Sequence, residues 1–95
     1  MVVGTLRLCV RLHGCRSLKE KRRARRSLID RIRNRHRVAV AEVDTQDVWT
    51  LLTIGVAAIG PDRGPVEQVL MAVANQVADS GQGELIDEDL QVDHL

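Results

Sequence analysis

Residues 2–12 alternate between apolar side chains and polar or small ones. The apolar set on one side of this alternation comprises Leu6, Leu8, Val10 and Leu12. The opposite side carries Thr5, Arg7, Cys9 and Arg11. Because successive side chains of a strand point to opposite faces, a period of two is typical of a strand with one buried face. We therefore predict a first strand over residues 2–12.

A helix is predicted from about residue 18 to residue 35. Ser17 and Glu20 have the spacing of a capping box, in which the serine caps the helix and the glutamate reaches back to the serine amide. At about 100° per residue, one face of this helix is apolar. Its residues are Leu18, Leu28, Ile29 and Ile32. Arg25 falls near the centre of that face, so we expect its stem to pack and its head to reach solvent or pair with an acid.

The rest of the chain predicts three more strands and a second helix. The strands cover residues 38–43, 49–59 and 84–92, and the helix begins at Pro65 and ends before Ser80. The order βαββαβ, with right-handed crossovers and a hairpin between the second and third strands, predicts an α+β ferredoxin-like sandwich. One four-stranded antiparallel sheet of order 4-1-3-2 then carries two helices on one face, and residues 1–95 form a single domain.

The net formal charge of +1 conceals a separation of charge along the chain. Residues 1–37 hold 13 of the 14 basic residues and only two acids, whereas residues 38–95 hold one basic residue and 11 acids. Such asymmetry favours an anionic partner for one surface. The alternative is neutralisation inside the fold, across the predicted pair of strands 1 and 4. The acids placed for this are Asp87, Asp89 and Asp93, opposite Arg7 and Arg11.

The predicted first helix carries cations at helical spacing along one side. With the loop before the helix and the residues after it, the candidate phosphate-binding residues are Arg16, Lys19, Lys21, Arg22, Arg23, Arg26, Arg33 and Arg37. Such side chains contact the phosphates of a nucleic-acid backbone. The capped N-terminus of the helix adds amide groups and a dipole that favour an anion. We expect this surface to bind RNA; a solvated face neutralised by the protein's own acids is the alternative.

Trp49 is the sole aromatic residue of the chain. RNA-recognition motifs of this topology stack bases on aromatic residues of strands 1 and 3. These strands lack them, so we expect RNA to be bound through its backbone or shape, and Trp49 to pack or to anchor an interface. The open face of strand 3 is small and flat, which favours a protein partner there, in particular a second copy of the chain. The candidate interface residues are Trp49, Leu51, Thr53 and Gly55.

The sequence contains few side chains at the spacing that a catalytic site needs. Arg16 lies where acylphosphatases bind phosphate, but their pattern also needs an Asn on a facing strand, and Asn34 and Asn75 both lie on predicted helices. His13 is the sole local base that could activate the thiol of Cys15. We therefore expect a protein that is not an enzyme and needs no cofactor.

A metal site and a membrane segment are not expected either. The acids Glu42, Asp44 and Asp47 could hold a hard cation, but more simply they solvate the hairpin or pair with arginines. The three histidines lack zinc-site spacing. No C-x-x-C motif, signal peptide or apolar run of about 18 residues is present. We expect a cytoplasmic protein with reduced thiols.

Three segments together resemble the YlxP-like family of small bacterial proteins. They are G-C-R-S-L-K-E-K-R-R at 14–23, S-L-I-D-R-I-R-N-R at 27–35 and V-A-V-A-E-V-D-T-Q-D-V-W at 38–49. The resemblance implies a ferredoxin-like fold and a bacterial cytoplasmic protein, often encoded near translation initiation factor 2 and ribosome-binding factor A. It brings no catalytic residues. Arg25 departs from the family pattern, in which an apolar residue is expected at this position.

These observations predict a non-enzymatic accessory protein. It would bind RNA or a ribosomal subunit through the basic first helix and the loop that precedes it. One alternative is a dimeric protein-interaction module that binds no nucleic acid. The other is a small enzyme that binds phosphate or acyl phosphate.

Overall fold

In the computed structural model, which describes residues 1–95, strands and helices follow one another in the order βαββαβ. The elements are β1 (Val2–Leu12), α1 (Leu18–Arg35), β2 (Ala39–Asp44), β3 (Leu51–Gly60), α2 (Arg63–Ala78) and β4 (Gly83–His94). β1 and α1 have the predicted bounds, because alternation, helical period and cap are local features. β3 begins two residues later than predicted, because Trp49 and Thr50 form a turn.

The strands form one antiparallel sheet in the order β2-β3-β1-β4, with β3 and β1 in the centre. In this register Arg7 lies opposite Gly55 on one side and Asp89 on the other. The register shifts once in each outer pairing, between Cys9 and Val10 toward β4 and between Glu42 and Asp44 toward β2. The topology confirms the predicted α+β ferredoxin-like fold.

The apolar core lies between one face of the sheet and the two helices. Helix α2 packs across β1, β3 and β4, whereas α1 lies over β2. Gly4 permits the close approach of α2, because a Cβ there would lie 2.6 Å from side-chain atoms of both Leu70 and Val66. The two helices bury unequal amounts of apolar surface: α2 buries five residues, whereas the buried apolar residues of α1 are Leu28 and Ile32. Most of the surface of α1 is therefore left for polar groups.

Neither helix is both long and apolar enough to cross a membrane. The shortage of aromatic residues is met by aliphatic ones, and the core consists of Val, Leu, Ile and Ala side chains.

Candidate nucleic-acid interface

Helix α1 is anchored to the core along a narrow strip. Ser17 has an extended backbone and caps the helix, its hydroxyl accepting a hydrogen bond of 3.1 Å from the Glu20 amide. Leu28 and Ile32 are fully buried. Because residues three and four apart share a helix face, this anchoring turns the opposite side of α1 to solvent.

The solvent-facing side of α1 and its flanking residues carry an unusual number of cations without an acidic partner. Seven exposed cations form neither an ion pair nor a side-chain hydrogen bond within the protein: Arg16, Lys19, Arg22, Arg23, Arg26, Arg35 and Arg37. Arg33 is also exposed, and it donates a hydrogen bond of 3.0 Å to the carbonyl of Val40. Asp30 is the one acid in the middle of this surface, and it forms no ion pair. We call these eight cations the basic surface.

Neutralisation inside the fold accounts for a smaller set of cations. On the open face of the sheet, Arg7 pairs with Asp44 at 2.9 Å and Arg11 with Glu84 at 3.5 Å. Asp89 does lie opposite Arg7 in the register, as predicted. The ion pair of Arg7, however, is formed in the other direction along the same face, across β3 to Asp44 of β2. The charge separation therefore persists in the folded protein, because none of the basic surface is used in these pairs.

Lys21 corrects the set of predicted phosphate-binding residues. Its side chain is 2% exposed and lies on the core side of α1, with Nζ 3.0 Å from a carboxylate oxygen of Glu42. The same ammonium donates to the carbonyls of Thr45, Gln46 and Val48. A buried ammonium held by four oxygens cannot reach a phosphate, so Lys21 is a structural residue that joins α1 to the β2–β3 loop.

Arg25 belongs to the same cluster, which explains how an arginine can lie near the centre of the apolar face of α1. Its Nη1 lies 3.0 Å from the other carboxylate oxygen of Glu42, and its side chain remains 36% exposed. The guanidinium therefore pairs with an acid at the edge of the core while its stem packs. Glu42, at 8% exposure, is shared by the two cations, so it is not free to hold a metal ion.

The N-terminus of α1 is closed to an added anion. Glu20 was expected to reach back to the amide of Ser17; its carboxylate instead accepts a hydrogen bond of 2.6 Å from the amide of Arg16. A carboxylate thus already lies where the helix dipole favours negative charge. A phosphate at this point would meet like charge, which moves the anion-binding surface from the helix end to the helix side.

Two arginines of the C-terminal turns were missed in the sequence analysis. Arg35 is exposed and belongs to the basic surface, and Arg31 is exposed and donates to the carbonyl of Ser80 at 3.3 Å. The spacing of four residues between them, which puts both on one side of a helix, could have revealed them in the sequence. In the structure they lie on the flank of α1 that faces α2, away from the row of cations found from the helical period.

The predicted interface residues do not form one exposed surface in the structure. Thr53 is 1% exposed, because its hydroxyl lies 2.9 Å from that of Thr45 and is covered by the β2–β3 loop. Its expected position on an exposed surface was wrong. Gly55 is half-buried beneath Val43, and Leu51 is half-buried. Trp49 lies in the loop before β3 and not on the sheet, with 46% of its surface exposed.

The open face of the sheet nevertheless has an apolar part. A shallow depression of about 610 Å³ crosses this face, floored by small residues of β2 and β3 such as Ala41 and Ala57 and bounded toward β1 and β4 by Arg7 and Asp89. Val43 and Ile59 on the same face are 50% and 67% exposed. The β4 side is acidic, and Asp87, Asp89 and Asp93 have no ion pairs.

The thiol of Cys15 contacts the backbone and not a basic side chain. The Cys15 thiol donates to the carbonyl of Ser17 at 3.4 Å. His13 and Cys15 line an open cleft of about 440 Å³ together with Glu20 and Arg23. No three His, Cys, Asp or Glu side chains converge in a geometry that could hold a metal ion. The solvent-exposed side of α1 is the most distinctive chemical surface of the molecule.

Comparison with known proteins agrees with the family resemblance. The uncharacterized protein YlxP of Bacillus subtilis (strain 168) is 32% identical over 62 residues, which are 65% of this chain and 67% of that protein. The designed protein Foldit4 shares the fold, with a TM-score of 0.58 and 12% identity over 99% of this chain and 97% of that chain. Residues 3–90 match the family described as protein of unknown function (DUF503). The chain therefore belongs to that family.

Proposed function

We propose that this protein is a non-enzymatic accessory factor that binds RNA or a ribosomal surface through α1. The observation that carries the proposal is the basic surface, whose cations have no acidic partner within the protein. Unpaired cations on a rigid element form a binding surface for phosphates at little cost in conformational rearrangement. The gene neighbourhood implied by the family resemblance supports the same function.

The geometry of α1 favours contact with a phosphate backbone. At 1.5 Å of rise per residue, the row from Lys19 to Arg33 is about 21 Å long. Lys19 and Arg23, or Arg22 and Arg26, are about 6 Å apart along the axis, close to the spacing of successive phosphates in a nucleic-acid strand. Arginine also suits bidentate contacts with phosphate oxygens. The open face of the sheet has no aromatic residue on which bases could stack. We therefore propose that RNA binds through α1 and not through the sheet.

A test of the proposal measures binding of the purified protein to ribosomal RNA as a function of salt. Arg23→Gln with Arg26→Gln removes two cations, and the control Gln68→Glu with Met71→Glu lowers the net charge equally on exposed positions of α2. The α1 variant should weaken binding on the order of 20-fold at 0.15 M salt and lower the salt slope by about 1.6. The control should change both little.

Ribosome association is tested in a cell lysate on sucrose gradients at low and moderate salt. We expect the protein to migrate with the small subunit at low salt and to be released as salt rises. Absence of RNA binding at low salt, or equal losses in the α1 variant and its control, would contradict the proposal.

A protein-interaction module is the second candidate, favoured by the apolar depression on β2 and β3. We propose a dimer through this face as the alternative. Ala57→Glu places a charge in the depression, and analytical ultracentrifugation of the two proteins compares their oligomeric states. A dimer that persists after nuclease treatment and is lost in the variant would support this alternative.

A further inference from the structure

The β2–β3 loop is fastened to α1 through the buried ammonium of Lys21. Lys21 donates to three of its carbonyls, including that of Val48 at 2.8 Å. Thr45 in the same loop has its hydroxyl within 2.9 Å of that of Thr53 on β3. The loop is thus held in one position relative to the helix and is not a free hairpin end.

This fixed loop presents apolar groups to solvent. Trp49, which follows Val48 directly, is 46% exposed, and Val48 itself is 38% exposed. Leu18, one helical turn before Lys21, is 40% exposed. A half-exposed tryptophan on a rigid support forgoes much of the stabilisation that burial would bring, which points to a contact outside the protein.

The basic surface begins on the turn of α1 to which this loop is fastened. Arg22 follows Lys21 directly, and Lys19 precedes it by two residues; both are exposed and unpaired. Because Lys21 brings the Val48 carbonyl to the second turn of α1, the loop that carries Trp49 is held against the part of α1 from which these two cations project. An aromatic ring next to a row of cations is the arrangement by which proteins hold single-stranded nucleic acid.

We propose that Trp49 stacks on an unpaired base of a single-stranded RNA segment whose phosphates lie on the N-terminal half of α1. This inference rests on the proposed RNA-binding function and adds the class of RNA and a base-contacting residue. Bases of a duplex are stacked on each other, so a stacking contact requires an unpaired base. The contact is sequence-tolerant, since every base has a flat π-face.

The charges around the loop orient the nucleotide. Asp47, two residues before Trp49, is exposed and without an ion pair, whereas Asp44 is paired with Arg7. A phosphate on the loop would be repelled by Asp47, and a phosphate on α1 would meet Lys19 or Arg22. The backbone therefore follows the helix and the base meets the loop.

The chain contains one Trp and no Tyr, so its intrinsic fluorescence reports on Trp49 alone. Titration with a 12-nucleotide oligo(U) RNA should quench this fluorescence, with a midpoint equal to the Kd measured by anisotropy of the labelled RNA. A 12-base-pair RNA duplex should leave the fluorescence nearly unchanged. Trp49→Ala should weaken oligo(U) binding about tenfold, and Trp49→Phe, which retains an aromatic face, should weaken it much less.

The outcomes distinguish this inference from the proposed function. Binding of oligo(U) without quenching, or with equal affinity in Trp49→Ala, overturns the stacking role but leaves RNA binding through α1 intact. Tighter binding of the duplex, with no change in fluorescence, likewise overturns the single-strand assignment. Absence of any RNA binding overturns both. Because quenching is measured on the unmodified protein, the test stands even if Trp49→Ala fails to fold.

Discussion

The two sides of α1 use the same kind of residue in opposite ways. On the core side, Lys21 and Arg25 share the carboxylate of Glu42, and Lys21 is almost fully buried. On the solvent side, Arg22 and Arg26 have no acidic partner. A count of the cations on a helix therefore overstates how many of them a ligand can reach. The cations of the core side stabilise the fold, and those of the solvent side are available for binding.

Removal of the buried ammonium should have the largest effect. Lys21→Met leaves Glu42 with Arg25 as its one cation and leaves three loop carbonyls without their donor. We expect the free energy of unfolding to fall by about 3 kcal/mol, because a buried charge that loses a partner is strongly destabilising. Urea unfolding followed by circular dichroism measures this change.

The matched control is Lys19→Met, an identical change at an exposed position, which should alter stability by about 0.5 kcal/mol or less. The double variant Lys21→Met with Glu42→Leu should recover part of the loss, because it removes the charge left by the first change. A Lys21→Met protein as stable as Lys19→Met would show that the cluster does not hold the loop.

Neutralising one arginine on each side of α1, in separate variants, tests the difference between the two sides directly. Arg22→Gln should weaken RNA binding about fivefold at 0.15 M salt, the effect of one phosphate contact, with little change in stability. Arg25→Gln should leave RNA binding nearly unchanged and lower the free energy of unfolding by about 1 kcal/mol, since its partner Glu42 is buried. Anisotropy titrations and urea unfolding of both proteins give the four values; the reverse pattern would refute the division of α1 into two sides.

The N-terminal cap should behave as a structural feature alone. Ser17→Ala removes the hydrogen bond to the Glu20 amide and should lower the free energy of unfolding by about 1 kcal/mol. RNA affinity should stay within about twofold, because Glu20 already occupies the helix end. A large loss of affinity in a protein that is still folded would show that the helix N-terminus contacts the phosphate after all.

The smallest effect is expected from the acid within the basic surface. Asp30→Asn removes an exposed carboxylate that forms no ion pair. RNA affinity should rise about twofold to fourfold, because one repulsive charge is lost. Asn34→Asp is the complementary change one turn later, and it should lower the affinity by a similar factor. Equal affinities in all three proteins would place the RNA elsewhere on the molecule.

Much of the architecture could be predicted because its signals are local. The alternation of β1, the period and cap of α1, and the order of elements led to the correct sheet. The start of β3 was missed because the turn at Trp49 depends on contacts of the loop with Lys21. The burial of Thr53 depends in the same way on the hydroxyl of Thr45.

The candidate site shows the same limit. Lys21 is spaced seven residues from Leu28, a separation that shares a helix face, and this could have warned against counting it as exposed. The compensation that permits its burial comes from Glu42, 21 positions later, which helical spacing cannot reveal. Arg35 was missed for the simpler reason that it lies outside the row of cations that the period emphasised.

The sequence by itself determined the βαββαβ order, the bounds of β1 and α1, and the concentration of cations in residues 1–37, because propensity, periodicity and charge reside in neighbouring residues. Tertiary structure alone decided which cations remain without an acid, and it fastened the loop that carries Trp49 to α1 through Lys21. Both results depend on distances between residues far apart in sequence. Such distances are set when α1 packs on β2 and a single carboxylate meets two cations at the edge of the core.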